Sequence, residues 1–191
     1  MARGMYHYLG EAWKKPTREM MQSRLIEWRR GHSVERVEKP LRLDKARMLG
    51  YKDKIGFVIL RVRVKRGGRR RKRAGVKGRK TRKQTIRKTL KMNYRWVAEI
   101  RAARRYKNLE VLNSYWVGSD GKHYYFEVIM IDPSRNEIRN DSNFKWISDN
   151  KNRKRAERGL TSAAKKSRGL RSKSHDLKVR PSLRAWSRRG K

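Results

Sequence analysis

IGFVILRVRVKRGGRRRKRAGVKGRKTR, residues 55–82, passes from strand-forming apolar residues straight into a basic run. Successive side chains of a strand alternate between its faces. Val58, Leu60, Val62 and Val64 therefore share one face, and Phe57, Ile59, Arg61, Arg63 and Lys65 share the other. The first face is apolar throughout, while the second turns from apolar to cationic. This predicts a rigid cationic ridge of Arg61, Arg63 and Lys65 facing phosphate; an ordinary solvated strand face is the alternative. No Asp or Glu occurs between Lys54 and Ala98, so the basic run has no acidic partner near it in sequence. Its charge calls for an external polyanion, and nucleic acid is the one expected.

Working outward, residues 17–30 read as a helix, with Pro16 and Thr17 at the entry, Glu19 in the first turn, and Arg29 and Arg30 in the last. Each charge suits the helix dipole. Met21, Leu25 and Trp28 form its apolar stripe. A short strand over 34–38 and a short helix over 43–51 lead to the strand at Phe57. Beyond the arm, 93–106 reads as an amphipathic helix with Trp96, Val97, Ile100 and Ala103 inward and Arg95, Arg101, Arg104 and Arg105 outward. VLNSYWV (111–117) and HYYFEVIMID (123–132), joined through Asp120-Gly121, read as a hairpin. Short helical turns anchored by Phe144, Trp146 and Ile147 follow Pro133.

The elements predict an α+β fold: a small antiparallel sheet with packed helices, plus a long basic arm and a C-terminal extension. The expected parts are 1–64, N-terminal helices and first strand; 65–92, basic arm; 93–150, helix and hairpin completing the body; and 151–191, basic extension. The last holds 16 Lys or Arg against Glu157 and Asp176, with apolar residues too sparse for a separate core.

Composition narrows the function. A net charge of +39 on 191 residues exceeds what solubility asks of a domain and marks a partner for polyanions. Cysteine is absent, which excludes disulfides and thiolate metal sites. Neither an apolar leader nor a membrane-spanning run is visible, so a soluble, non-secreted chain is expected.

The arm from Lys65 to Lys83 carries 12 cations among four glycines that permit close backbone approach to a neighbour. On charge, Arg71, Lys72, Arg73, Lys77, Arg79, Lys80, Arg82 and Lys83 are candidate phosphate contacts. In the tail, Arg184, Arg188 and Arg189 are further candidates, and Trp186 among them either stacks on a base or packs on the body.

Catalysis leaves little trace. His7, His32, His123 and His175 lie in unrelated contexts without metal-site spacing, and the scarce acids form no two-metal cluster. An RNA-acting enzyme would have to rely on residues such as His123 or Glu127. A chromatin-type DNA compactor fits the charge, but it has no need of an aromatic-rich body or a strand-borne ridge.

MYHYLGEAWKKP (5–16), LDKARMLGYK (43–52), RVRVKRGGRR (61–70), LNSYWVG (112–118), FEVIMIDP (126–133) and RGLTSAAKKSRGLR (158–171) closely resemble, in the same order, the family of the fifteenth large-subunit ribosomal protein of archaeal and eukaryotic type, the N-terminal run being the more archaeal. The resemblance implies a cytoplasmic structural constituent of the large ribosomal subunit. Its implied partners are large-subunit rRNA and neighbouring large-subunit proteins, with no enzymatic activity, cofactor, metal, membrane or small-molecule substrate. The positions it implies for rRNA contact are Arg61, Arg63, Lys65, Arg66, Arg69 and Arg70, with Lys165, Lys166, Arg168 and Arg171 in the tail. Members of that family read S-A-G-K/R-K-S-R where this chain has Ser162-Ala163-Ala164-Lys165. A glycine of positive φ there could not be matched by Ala164.

Overall fold

The computed structural model describes residues 3–70 and 87–171. Its centre is the strand the opening stretch predicts, β2 (Phe57–Lys65). Helices α1 (Met5–Ala12) and α2 (Arg18–Arg30), strand β1 (Val34–Val37) and helix α3 (Leu43–Met48) precede it. After it come short strands β3 (Arg69–Arg70) and β4 (Arg87–Lys88), helix α4 (Tyr94–Arg105), and the hairpin β5 (Glu110–Ser119) and β6 (His123–Ile131). Helix α5 (Asn136–Arg139), 3-10 turns at 145–148 and 150–152, and helix α6 (Ser162–Ser167) follow. Four strands form an antiparallel sheet in the order β1-β2-β6-β5, so the fold is α+β as predicted.

Register explains the two-layered core. Leu60, Val62 and Val64 of β2 sit opposite Val128, Phe126 and Tyr124 of β6. That face packs on Ala98 and Ala102 of α4. On the opposite face Ile59, Ile129, Tyr125 and Tyr115 pack on Trp28 of α2 and Ala46 of α3. Both faces of the sheet are therefore covered. Gly118, beside a bulge in β5, makes the α2 contact possible: a Cβ there would stand 2.9 Å from the Trp28 ring and 3.1 Å from Met21.

Several elements differ from the sequence reading. The predicted inward face of α4 is rotated: Trp96, Ala98, Glu99 and Ala102 are buried, Val97, Ile100 and Ala103 are half-buried, and Arg95 turns inward. Its guanidinium donates to Ser114 Oγ at 2.8 Å and Asn113 Oδ1 at 2.6 Å. Hydrophobic periodicity misplaces this face because a polar cluster occupies part of the core. Trp146, expected as an anchor, is 36% exposed and lies under the Arg155 guanidinium, whereas Phe144 and Ile147 are buried.

The beginning of the basic extension shares the body's core. Ala156, Ala163 and Ala164 are buried, and Trp96 Nε1 donates to the Ala156 carbonyl at 2.7 Å. Alanine adds little hydropathy, so this docking is faint in the sequence. Thr161 caps α6 by accepting from the Ala164 N–H, and Ala164 lies within the helix, where no positive φ is needed. Helix α1 and the β3–β4 ladder, Arg69 opposite Lys88 and Arg70 opposite Arg87, were not anticipated.

Candidate nucleic-acid interface

The expected ridge on β2 is not an open face. Arg61 points under α2, with its side chain 14% exposed: its Nη2 donates to Glu35 Oε2 at 3.0 Å and its guanidinium lies 5.2 Å from the Trp28 ring centre. Glu35 is its direct partner across the β1–β2 ladder. Arg63 Nη1 donates to the carbonyls of Arg29, at 2.5 Å, and Trp28, at 3.3 Å. These carbonyls belong to the last turn of α2, where a cation also meets the negative end of the helix dipole. The two arginines thus hold α2 on the sheet. Lys65, at the strand's end, is exposed, with no ion pair among the described residues.

The chain leaves the body at a braced root. The Arg66 N–H donates to the Lys122 carbonyl at 2.9 Å, and Arg66 Nη1 donates to the Asp120 carbonyl at 2.8 Å. The same guanidinium lies 4.8 Å from the Tyr124 ring centre. The Gly67 N–H donates to Tyr94 Oη at 2.8 Å. A Cβ on Gly68 would collide with the Lys88 carbonyl, so glycine lets the two legs of the arm meet in the β3–β4 ladder. Arg69 and Arg70 lie in that ladder. The candidates Arg71, Lys72, Arg73, Lys77, Arg79, Lys80, Arg82 and Lys83 fall outside the described residues, as do Arg184, Trp186, Arg188 and Arg189.

Beside the root, a groove of about 440 Å³ is lined by Val64, Lys65, Gly67, Leu90, Val97 and Arg101, among others. Arg101 was marked as outward-facing but not singled out as a contact. It is exposed, and its Nη1 donates to the Arg63 carbonyl at 3.0 Å. Its signal was present in the sequence, as a cation on the outer face of the helix that follows the arm.

On the tail, Lys166 and Arg171 are exposed and Lys165 is half-buried. Arg171 Nη1 donates to Ser162 Oγ at 2.7 Å. Arg168 is 4% exposed, and its Nη1 donates to the Gly159 carbonyl at 2.9 Å, so it holds the loop before α6. The predicted cations therefore separate into inward arginines that hold elements together and outward ones free to meet a partner.

Among the described residues the two most deeply buried acids hold elements together. Glu99, fully buried, accepts from Ser114 Oγ and Thr161 Oγ1, both at 2.5 Å, and joins α4, β5 and the segment before α6. Burial pushes its carboxyl up, against those hydrogen bonds and the nearby Arg95 and Arg155. Burial likewise pushes up Glu127, which accepts from Tyr115 Oη at 2.5 Å and from the Leu41 N–H at 3.1 Å. Both oxygens of Glu127 are engaged by structural donors. Among the described residues no group of His, Asp and Glu could hold a metal ion.

The comparison with known proteins gives this surface a family. The sequence model described as Ribosomal L15 matches residues 4–186. The chain belongs to the Ribosomal L15 family, of the L15e type. It is 46% identical over 197 aligned positions to the large ribosomal subunit protein eL15 of Methanocella arvoryzae, covering all of both chains. To the protein of the same name from Methanospirillum hungatei it is 47% identical, again across the whole of both. The range of the L15e match takes in the arm and most of the basic extension.

Proposed function

We propose that the chain is a structural constituent of the large ribosomal subunit in the cytoplasm. There it binds and stabilises folded large-subunit rRNA through its basic arm and extension, beside neighbouring large-subunit proteins, and so supports translation. The relatives are named for their place in a particle and not for a reaction. The observation that carries the reading is the braced root: a run of 12 cations from Lys65 to Lys83, without one acid, issues from a point held by side-chain and backbone bonds. A rigid root aims the arm, and disorder at that point would add entropy to the cost of binding. Exposed Lys65, Lys166 and Arg171 are candidates for these contacts, and the cations from Arg69 to Lys83 continue them along the arm.

If half of the arm's 12 cations engage phosphates, binding falls with salt at a log–log slope of roughly −4 to −5. Bound by charge alone, the chain would strip from the particle at high salt. Threaded among folded RNA helices, it would stay. Sedimentation of an extract through a high-salt gradient tests this: cosedimentation with the large subunit is expected. Release to the top of the gradient, or recovery with chromosomal DNA, overturns the reading.

A further inference from the structure

Met5, Tyr8, Leu9 and Ala12 of α1 follow the i, i+3, i+4, i+7 spacing with which a helix presents one face to a core. Yet none of the residues of α1 is buried. Met5 is 59% exposed and Tyr8 61%, and nearby Met48 on α3 is 73% exposed. The helix is not a loose end: it lies on α3, and the Trp13 ring that follows it sits 5.4 Å and 5.1 Å from the guanidinium groups of Arg24 and Arg42. Tyr6 and Met48 border a groove of about 390 Å³ between the two helices, and the rest of its lining is mainly charged, from Glu11, Lys14, Arg42, Asp44 and Lys45.

Charge identifies what covers this face. Residues 4–13 contain no Lys or Arg, in a chain where 56 of 191 residues are one or the other. The other runs of ten or more without a cation are 108–121 and 123–134, which contain the two hairpin strands of the core. The sequence thus composes α1 as it composes core. A phosphate surface gains nothing from exposed thioethers, whereas an apolar protein face gains by excluding water, and methionine adapts to an irregular partner. Exposed Arg3, Lys15 and Arg47 flank these helices and suit acidic groups around the partner's apolar centre.

We propose that the exposed face of α1, with Met48 of α3, is a docking surface for an apolar, acid-rimmed face of a neighbouring large-subunit protein. This rests on the ribosomal reading above but assigns the surface to protein and not to rRNA. The test uses whole large subunits in which a benzophenone amino acid replaces Tyr8 or, separately, Met48. Irradiation is expected to join both positions to the same ribosomal protein, identified by mass spectrometry, with negligible label on rRNA. A double variant, Met5→Glu with Tyr8→Glu, alters exposed side chains and should leave the fold intact while abolishing the crosslink from position 48. Label on rRNA, or no label from a chain that remains in the subunit, overturns the docking surface and leaves the ribosomal reading standing. Absence of the chain from the subunit overturns both.

Discussion

Replacing Arg61 by Met separates the two kinds of cation. The substitution removes the 3.0 Å bond to Glu35 and the guanidinium over Trp28, but keeps an apolar stem of similar reach. Glu35 is 37% exposed, so the ion pair is partly screened and contributes about 1 kcal/mol. The contact with the Trp28 ring, on a buried indole, adds about another 1 kcal/mol. A loss of about 2 kcal/mol lowers Tm by roughly 4–8 °C in a chain of this size. Arg61 lies beneath α2, so the salt slope of binding to large-subunit rRNA should not change. Lys166→Met should do the reverse: Tm stays level while the slope becomes shallower by roughly 0.7–0.9. Calorimetry of the free protein, with titrations of an rRNA fragment at several KCl concentrations, reads both quantities. If Arg61→Met flattens the slope as much as Lys166→Met and leaves Tm unmoved, the division into holding and contacting cations is wrong.

Further expectations concern the polar core. Thr161→Val removes a hydrogen bond to Glu99 and the cap of α6; at roughly 1 kcal/mol for the hydrogen bond and about 1 for the cap, the loss is about 2 kcal/mol. Amide exchange of 156–168 should accelerate before that of the hairpin; uniform acceleration would count against a local latch. Burial raises Glu99 above the ordinary glutamate value of 4.5, so the folded state binds the proton more tightly. Its contribution is most favourable below 4.5 and is lost as pH rises through the folded pKa. Glu99→Gln should flatten that part of the stability–pH curve, and an unchanged curve would refute the assignment. Gly118→Ala places a methyl against Trp28 and should destabilise by roughly 1–3 kcal/mol, with altered Trp fluorescence; a neutral result would mean that α2 yields easily.

The sheet was legible because β2, β5 and β6 carry alternation, and the Asp120-Gly121 turn sets their direction. Helix α2 was legible from its entry residues, its stripe and its terminal charges. What covers β2 was not. Alternation reports that Arg61 and Arg63 share a face with Ile59, but it cannot tell that α2 lies across that face with open carbonyls and Glu27 and Glu35 at hand. For the same reason α4 was turned: Arg95 and Glu99 count as outward in any hydropathy pattern, and only three-dimensional neighbours such as Ser114 and Thr161 make them inward. The arm's charge was plain, while its root depended on Tyr94, Asp120 and Lys122, which are distant in sequence.

The placement of the few acids explains how a chain of +39 keeps a folded body. Glu27 and Glu35 meet Arg61, Asp120 lies by Arg29, Asp141 meets Lys52 and Lys54, and Glu157 meets Arg104. The bonds from Lys54 and Lys52 hold the Asp141 carboxyl well below the usual range. Each of these acids answers cations of the body, and no Asp or Glu lies between Lys54 and Ala98 to answer the arm. Like charges at arm density would oppose compaction anywhere in the core. Sorted in this way, the repulsion acts mainly on segments that issue from the sheet through a braced root. The same sorting that lets the body fold leaves the arm's charge to the partner proposed above.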